Sequence, residues 1–252
     1  MASRPVRVQP LPGAELSRVS ERAALATRIE KQLRSYVPEL LLRWPIGKAW
    51  QSLDGTLVSA DISGFTALSE RMAAKGREGV EELTELINRC FDGMIDNCLA
   101  EGGDVLKFGG DALLVFFDGV HHSHRACRAA VAMRRTIRAP RKTTEGRGVR
   151  LAVSIGVHSG DHTFFVVRNG HDELLVTGPG ATATVDAESA AGTGEILLTA
   201  QTASRLPPSW LGTTTTSGVL LKRIFGVPEV APTTAQFRKP SEFIPPDLDQ
   251  FH

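Results

Sequence analysis

Asp61 and Asp111 are the residues of this chain whose type and setting best support chemistry. Asp61 lies in Val58-Ser-Ala-Asp-Ile-Ser-Gly-Phe-Thr66, and Asp111 in Gly102-Gly-Asp-Val-Leu-Lys-Phe-Gly-Gly-Asp-Ala-Leu-Leu114, each where an apolar run meets a turn. Strand pairing across the intervening segment would bring both carboxylates to one edge of a sheet and make a divalent-metal site. Hard oxygen donors of this kind suit Mg²⁺ or Mn²⁺, ions that bind phosphates well. Singly, each residue has an ordinary explanation, Asp61 as a capping or turn carboxylate and Asp111 as the turn residue that Gly-Gly-Asp favours.

The elements that must position them follow from periodicity and turn chemistry. Thr56 to Ile62 reads as a strand broken by Gly64, with Ser63 expected to cap a short helix carrying Phe65, Leu68 and Met72. From Glu78 to Ala100, Val80, Leu83, Leu86, Ile87, Cys90, Phe91, Met94, Ile95 and Cys98 recur at helical spacing, and Gly102-Gly103 stops the helix. Asp104 to Phe108 and Ala112 to Phe117 are β-type runs on either side of Gly109-Gly110-Asp111, a hairpin by its turn residues. A helix over His122 to Arg138 precedes a basic loop. Strand patterning then resumes over Arg150 to His158 and Thr163 to Val167, with Gly156-Val-His-Ser-Gly160 as a turn between them. The order β, α, α, β, β, α, β, β implies an α+β fold with helices on one face of the sheet.

Both carboxylate segments resemble the metal-binding motifs of class III nucleotidyl cyclases, and the order of elements matches that family's catalytic fold over about residues 50 to 205. The resemblance implies a ferredoxin-like sheet with helices packed on one face and a head-to-tail dimer whose sites form between protomers. It implies conversion of ATP to cyclic AMP and pyrophosphate with two Mg²⁺ or Mn²⁺ ions per site. Carried over by motif, the metal ligands are Asp61, Asp111 and the carbonyl of Ile62. The turn Ser63-Gly64-Phe65-Thr66 would offer backbone N–H groups to the terminal phosphates. Lys107 matches the family lysine that hydrogen-bonds adenine, which favours ATP over GTP.

The second half of the site departs from that pattern. In active homodimeric relatives a late motif Asp-x-x-Gly-x-x-x-Asn-x-x-x-Arg supplies base recognition, ribose orientation and a transition-state cation. Aligned on Gly178, this chain has Leu175, Thr182 and Asp186 at those positions, and a further phosphate-binding cation is replaced by Ser154. The pattern resembles the first domain of tandem soluble-type adenylyl cyclases, so a complementary second domain is the implied partner. A second reading is a catalytically inactive cyclase-homology module that binds nucleotide or dimerises to regulate a partner.

Composition bounds the remaining possibilities. The 252 residues carry a net charge of +1, which provides no field for nucleic acid or an anionic membrane. No apolar stretch approaches the roughly 20 residues that span a bilayer. Cytoplasmic location is therefore expected, with no nucleic-acid and no membrane partner. Cys90, Cys98 and Cys127 fall in helical patterns and are expected as buried thiols. His121, His122 and His124 are expected in a solvated loop, and the basic run from Arg134 to Arg150 as a solvated linker. No Gly-x-Ser-x-Gly elbow marks a serine hydrolase. The expected organisation is a helical lead-in over residues 1–50, a cyclase homology domain over 51–227 and a Pro-rich tail over 228–252.

Overall fold

Strand β1 (Trp50–Ser63) is the axis of the molecule. It pairs antiparallel with β3 (Ala112–Asp118) on one side and with the 17-residue β6 (Ala152–Arg168) on the other. The computed structural model describes residues 37–138, 141–142, 148–149, 151–168, 172–222 and 224. Among these, β2 (Asp104–Gly109), β7 (Asp172–Thr177), β8 (Ile196–Leu198), β9 (Leu211–Thr214) and β10 (Val219–Leu221) complete an eight-stranded sheet ordered β2-β3-β1-β6-β8-β10-β9, with β7 also on β6. A separate two-stranded pairing joins β4 (Arg141–Lys142) to β5 (Gly148–Val149).

Alternation along β1 decides which side chains meet which layer. Val58, Ala60 and Ile62 join Leu113, Val115, Phe117, Val153, Ile155 and Val157 on the face that carries the main core. Helices α3 (Arg77–Ala100) and α4 (His122–Arg138) cover that face. They contribute Leu86, Cys90, Met94 and Cys98 from one, and Ala126, Ala130, Met133 and Ile137 from the other. All three cysteines are buried thiols outside any disulfide, as their helical settings imply. The opposite face buries Leu57, Phe116, Phe164, Val166 and Leu174 beneath Leu40, Leu41 and Trp44 of the lead-in.

The α+β class with its two long helices on one face is as expected, and the structure adds a shorter helix, α5 (Pro179–Ala190), against the other. Small residues permit that approach. A Cβ at Gly156 would lie 2.2 Å from Glu188 N and 2.3 Å from Thr184 O, so only glycine lets α5 settle on β6. The lead-in is tied down by Asp104, whose two carboxylate oxygens accept hydrogen bonds from Glu39 N and Leu40 N, each at 2.7 Å, at the start of α1 (Glu39–Leu42). Pro38 directly precedes that helix. Burial pushes the Asp104 carboxyl up to about 7 against the opposing effect of those two N–H groups. The earlier part of the lead-in and the tail over 228–252 lie outside the described residues.

Three local expectations need correction. No turn divides residues 152–167: β6 runs unbroken through Gly156-Val-His-Ser-Gly160, with Gly160 paired to Gly55. Ser63 does not cap the following helix α2 (Phe65–Ala73): Gly64, in left-handed conformation at φ +86°, occupies the cap position without a side-chain bond. His122 and His124 are not in a solvated loop. His122 is buried at the start of α4, where its Nδ1 meets Thr56 Oγ1 at 2.7 Å, and His124 stacks edge-on against Trp210.

Candidate active site

The β2–β3 hairpin and the end of β1 bring the two acidic motifs together. Asp61 pairs with Ala112, the residue after Asp111, and Ile62 N donates to the Asp111 carbonyl at 3.1 Å. Both carboxylates are half-buried at this sheet edge. Burial and then the neighbouring Asp111 carboxylate raise the Asp61 carboxyl above its ordinary value. Two anions held this close repel each other, which a cation between them would relieve. The donors present are oxygens, so the pair fits a hard divalent ion. Among the described residues no three His, Cys, Asp or Glu side chains converge as a ready-made metal cluster.

The turn Ser63-Gly64-Phe65-Thr66 follows directly and runs into α2, so its backbone lies at a helix start beside Asp61. Ser63 Oγ lies 2.9 Å from Ser154 Oγ, and Ser154 Oγ also donates to Gly192 O at 3.3 Å. Ser154 stands opposite Asp61 in the β1–β6 register and is a small, buried, hydrogen-bonded residue. Lys107 extends from β2, where a bulge shifts the register between Val105 and Lys107. Its Nζ lies 3.8 Å from Glu173 of β7 in an exposed ion pair. Leu175 lies two residues further along β7 and is half-exposed.

Helix α5 sorts the late motif by face. Gly180, Thr184 and Ala187 turn to the sheet, whereas Thr182, Val185 and Asp186 are exposed. Thr182 Oγ1 donates to Gly178 O at 3.3 Å. One group was not foreseen in the sequence: Glu188, whose carboxyl is raised by burial and then by the charges of Asp61 and Asp111. Its signal was faint, an acid two residues beyond Asp186 on the inward side of a helix with no apolar stripe.

A match to the adenylate and guanylate cyclase catalytic domain model spans residues 51–224. The chain belongs to that family. Among curated cyclases, rat adenylate cyclase type 10 is 34% identical over 103 residues, covering 39% of this chain and 6% of that protein. Adenylate cyclase 1 of Rhizobium meliloti (strain 1021) is 27% identical over 136 residues, covering 50% of this chain and 20% of that protein. This cyclase domain therefore spans only a small part of the relatives it matches. Among solved structures, the adenylyl cyclase CyaB from P. aeruginosa superposes with a TM-score of 0.58 at 24% identity, over 73% of this chain and all of that one. A rhodopsin-guanylyl cyclase catalytic core with converted specificity, in complex with ATPalphaS, gives 0.57 at 20% identity over 69% and 98%. The class III cyclase fold is thereby established, with adenylyl and guanylyl cyclases both among its structural neighbours. Among the described residues no helix is long and apolar enough to cross a membrane.

Proposed function

We propose that this cyclase domain, residues 51–227, is the metal-binding half of an adenylyl cyclase site that converts ATP to cyclic AMP and pyrophosphate when paired with a complementary domain. The observation that carries the reading is the convergence of Asp61 and Asp111, with Asp61 partly desolvated against the charge of Asp111. Asp61, Asp111 and the Ile62 carbonyl would hold two Mg²⁺ or Mn²⁺ ions. When bound, such ions neutralise phosphate charge and favour ionisation of the attacking hydroxyl, here the ribose 3′-OH. The backbone of Ser63 to Thr66 would orient the terminal phosphates at the start of α2. Lys107, by its match to the family's adenine-binding lysine, would read the base and favour ATP over GTP; in this chain its Nζ lies 3.8 Å from Glu173.

Three features support a partner domain. Thr182 and Asp186 lie on the exposed face of α5 beside Val185, available to a second molecule. Trp50 and Phe165, opposite each other on β1 and β6, and Val167 leave apolar surface exposed for a head-to-tail neighbour. The third is chemical: Asp186 and Ser154 bring no cation to the phosphates, so the partner must bring it. The same two residues favour a second reading for the isolated chain, a nucleotide-binding module that regulates its partner without turnover. In either case the metal assignment has a direct test in thermal unfolding with Mn²⁺ and a non-hydrolysable ATP analogue. The melting temperature should rise through binding to the folded state, and Asp61→Ala and Asp111→Ala should each remove the rise. A full shift in the double variant would refute the assignment.

A further inference from the structure

Between the C-terminal half of α4 and the strands β8, β9 and β10 lies a cavity of about 490 Å³, lined by none of the residues assigned to the candidate active site. Its walls include the apolar residues Leu211, Leu220 and Leu221, and three cationic side chains line it: Arg134, Arg138 and Lys222. The one acid of the lining, Glu195, is engaged, its Oε2 accepting from Gly192 N at 3.0 Å. Arg138 donates to Gly194 O at 3.0 Å. Arg134 is half-buried and, among the described residues, has neither a hydrogen-bond acceptor nor an acidic partner.

The arrangement is electrostatically unfavourable as it stands. Arg134 and Arg138 are one helical turn apart, a spacing at which like charges repel. Burial, then Arg138 and Arg135, hold the Arg134 guanidinium below its ordinary value. Cations in the last turn of a helix offset its carbonyl end, which accounts for Arg135 and Arg138. It does not account for Arg134, which lies earlier and bonds no carbonyl among the described residues. A cavity of this size falls in the usual range for small-molecule sites, about 300–1,000 Å³. Guanidinium forks facing an apolar wall match a ligand with a phosphate or carboxylate at one end and an apolar body at the other.

We infer that this cavity binds a small organic anion, phosphate- or carboxylate-bearing, through Arg134 and Arg138, with its apolar part against Leu211, Leu220 and Leu221. The inference is independent of the adenylyl cyclase reading. The cavity is also linked to the candidate site, because the turn that carries Gly194 continues to Gly192, whose carbonyl accepts from Ser154 Oγ, itself bonded to Ser63.

The test is calorimetric titration of the full chain in EDTA, which removes metal-dependent nucleotide binding, with phenyl phosphate, benzoate, inorganic phosphate and phenol as probes. Saturable binding of phenyl phosphate or benzoate is expected, with the tighter of the two telling phosphate from carboxylate, inorganic phosphate weaker and phenol without effect. Arg134→Gln should weaken the anionic probes about tenfold, the scale of one charge-assisted contact. Arg134→Glu should abolish their binding while raising the melting temperature of the free protein, since the introduced carboxylate would pair with Arg138; this keeps loss of binding distinct from misfolding. Absence of saturable binding by either anion at millimolar concentration, or undiminished binding by Arg134→Glu, would overturn the inference.

Discussion

Acidification should destabilise this fold through His162, by an amount that its surroundings set. His162 sits on β6, fully buried, with no hydrogen-bond partner for Nδ1 or Nε2 among the described residues. The rings of His158 and Phe116 stand edge-on at 5.6 and 5.7 Å, and Gly180 of α5 packs so close that a Cβ there would lie 2.7 Å from Nδ1. Burial, then the neighbouring His158, lowers the imidazolium pKa from 6.5 to about 4, opposed by the nearby Gly55 backbone and by Asp54, with His122 a weak further lowering influence. The unfolded chain takes up a proton as pH falls through 6.5, and the folded chain does so only near 4. The stability contribution is therefore complete above 6.5 and lost between those values, amounting to about 2.5 kcal/mol by about pH 4.5. Asp104, raised to about 7, acts in the opposite sense, because its folded state takes up a proton before the unfolded state does. A difference measurement separates the two. His162→Phe keeps an edge-packed ring and removes the titration, so urea unfolding of both proteins at about pH 7.5 and about pH 4.5 should show the variant gaining about 2.5 kcal/mol relative to wild type on acidification. Parallel pH dependences would refute the reasoning.

Two further outcomes follow from the geometry. Asp104→Ala leaves Glu39 N and Leu40 N without their acceptor, so it should cost about 1–3 kcal/mol in urea unfolding and speed proteolysis before Trp50, with an unchanged denaturation curve counting against the latch. Thr182→Asn with Asp186→Arg should raise cyclic AMP formation by the isolated domain about 10²- to 10³-fold from background, the scale of one transition-state donor, and adding Leu175→Asp should favour ATP over GTP; an unchanged rate with folding and dimerisation intact would count against the alignment.

The sequence was most legible where periodicity and turn chemistry agreed. The long helix α3 and the β2–β3 hairpin stand close to their expected bounds because Leu86, Cys90, Met94 and Cys98 repeat strictly every fourth residue and Gly109-Gly110-Asp111 forces a reversal. Glycine misled where it served packing instead of turning. Gly156 exists to admit α5, so the apparent turn at 156–160 is the middle of a strand. Helix α5 itself left no apolar stripe, since it packs through Gly180, Thr184 and Ala187. Ser63 has the residue type of a cap, but strand geometry turns it to Ser154. The juxtaposition of Asp61 and Asp111 was foreseeable from two edge motifs. The closeness of Glu188 was not, because it depends on how α5 lies across the sheet.

On the proposed function, the domain holds the metals and needs another domain for the transition-state cation. Charge sets the expected size of the effect: replacing an attraction with a repulsion at about 4 Å, at an effective dielectric of about 20, changes the interaction by several kcal/mol, which is several decades in rate. The most direct measurement is cyclic AMP and cyclic GMP production from ATP and GTP with Mn²⁺, by the domain alone and mixed with a cyclase domain that carries the Asn and Arg but lacks metal aspartates. Near-background rates are expected for each alone, cyclic AMP from the mixture, and loss of that activity in Asp61→Ala. Turnover of ATP by the isolated domain at around one per second, the low end of ordinary enzymes, with Asp61→Ala abolishing it, would contradict the account.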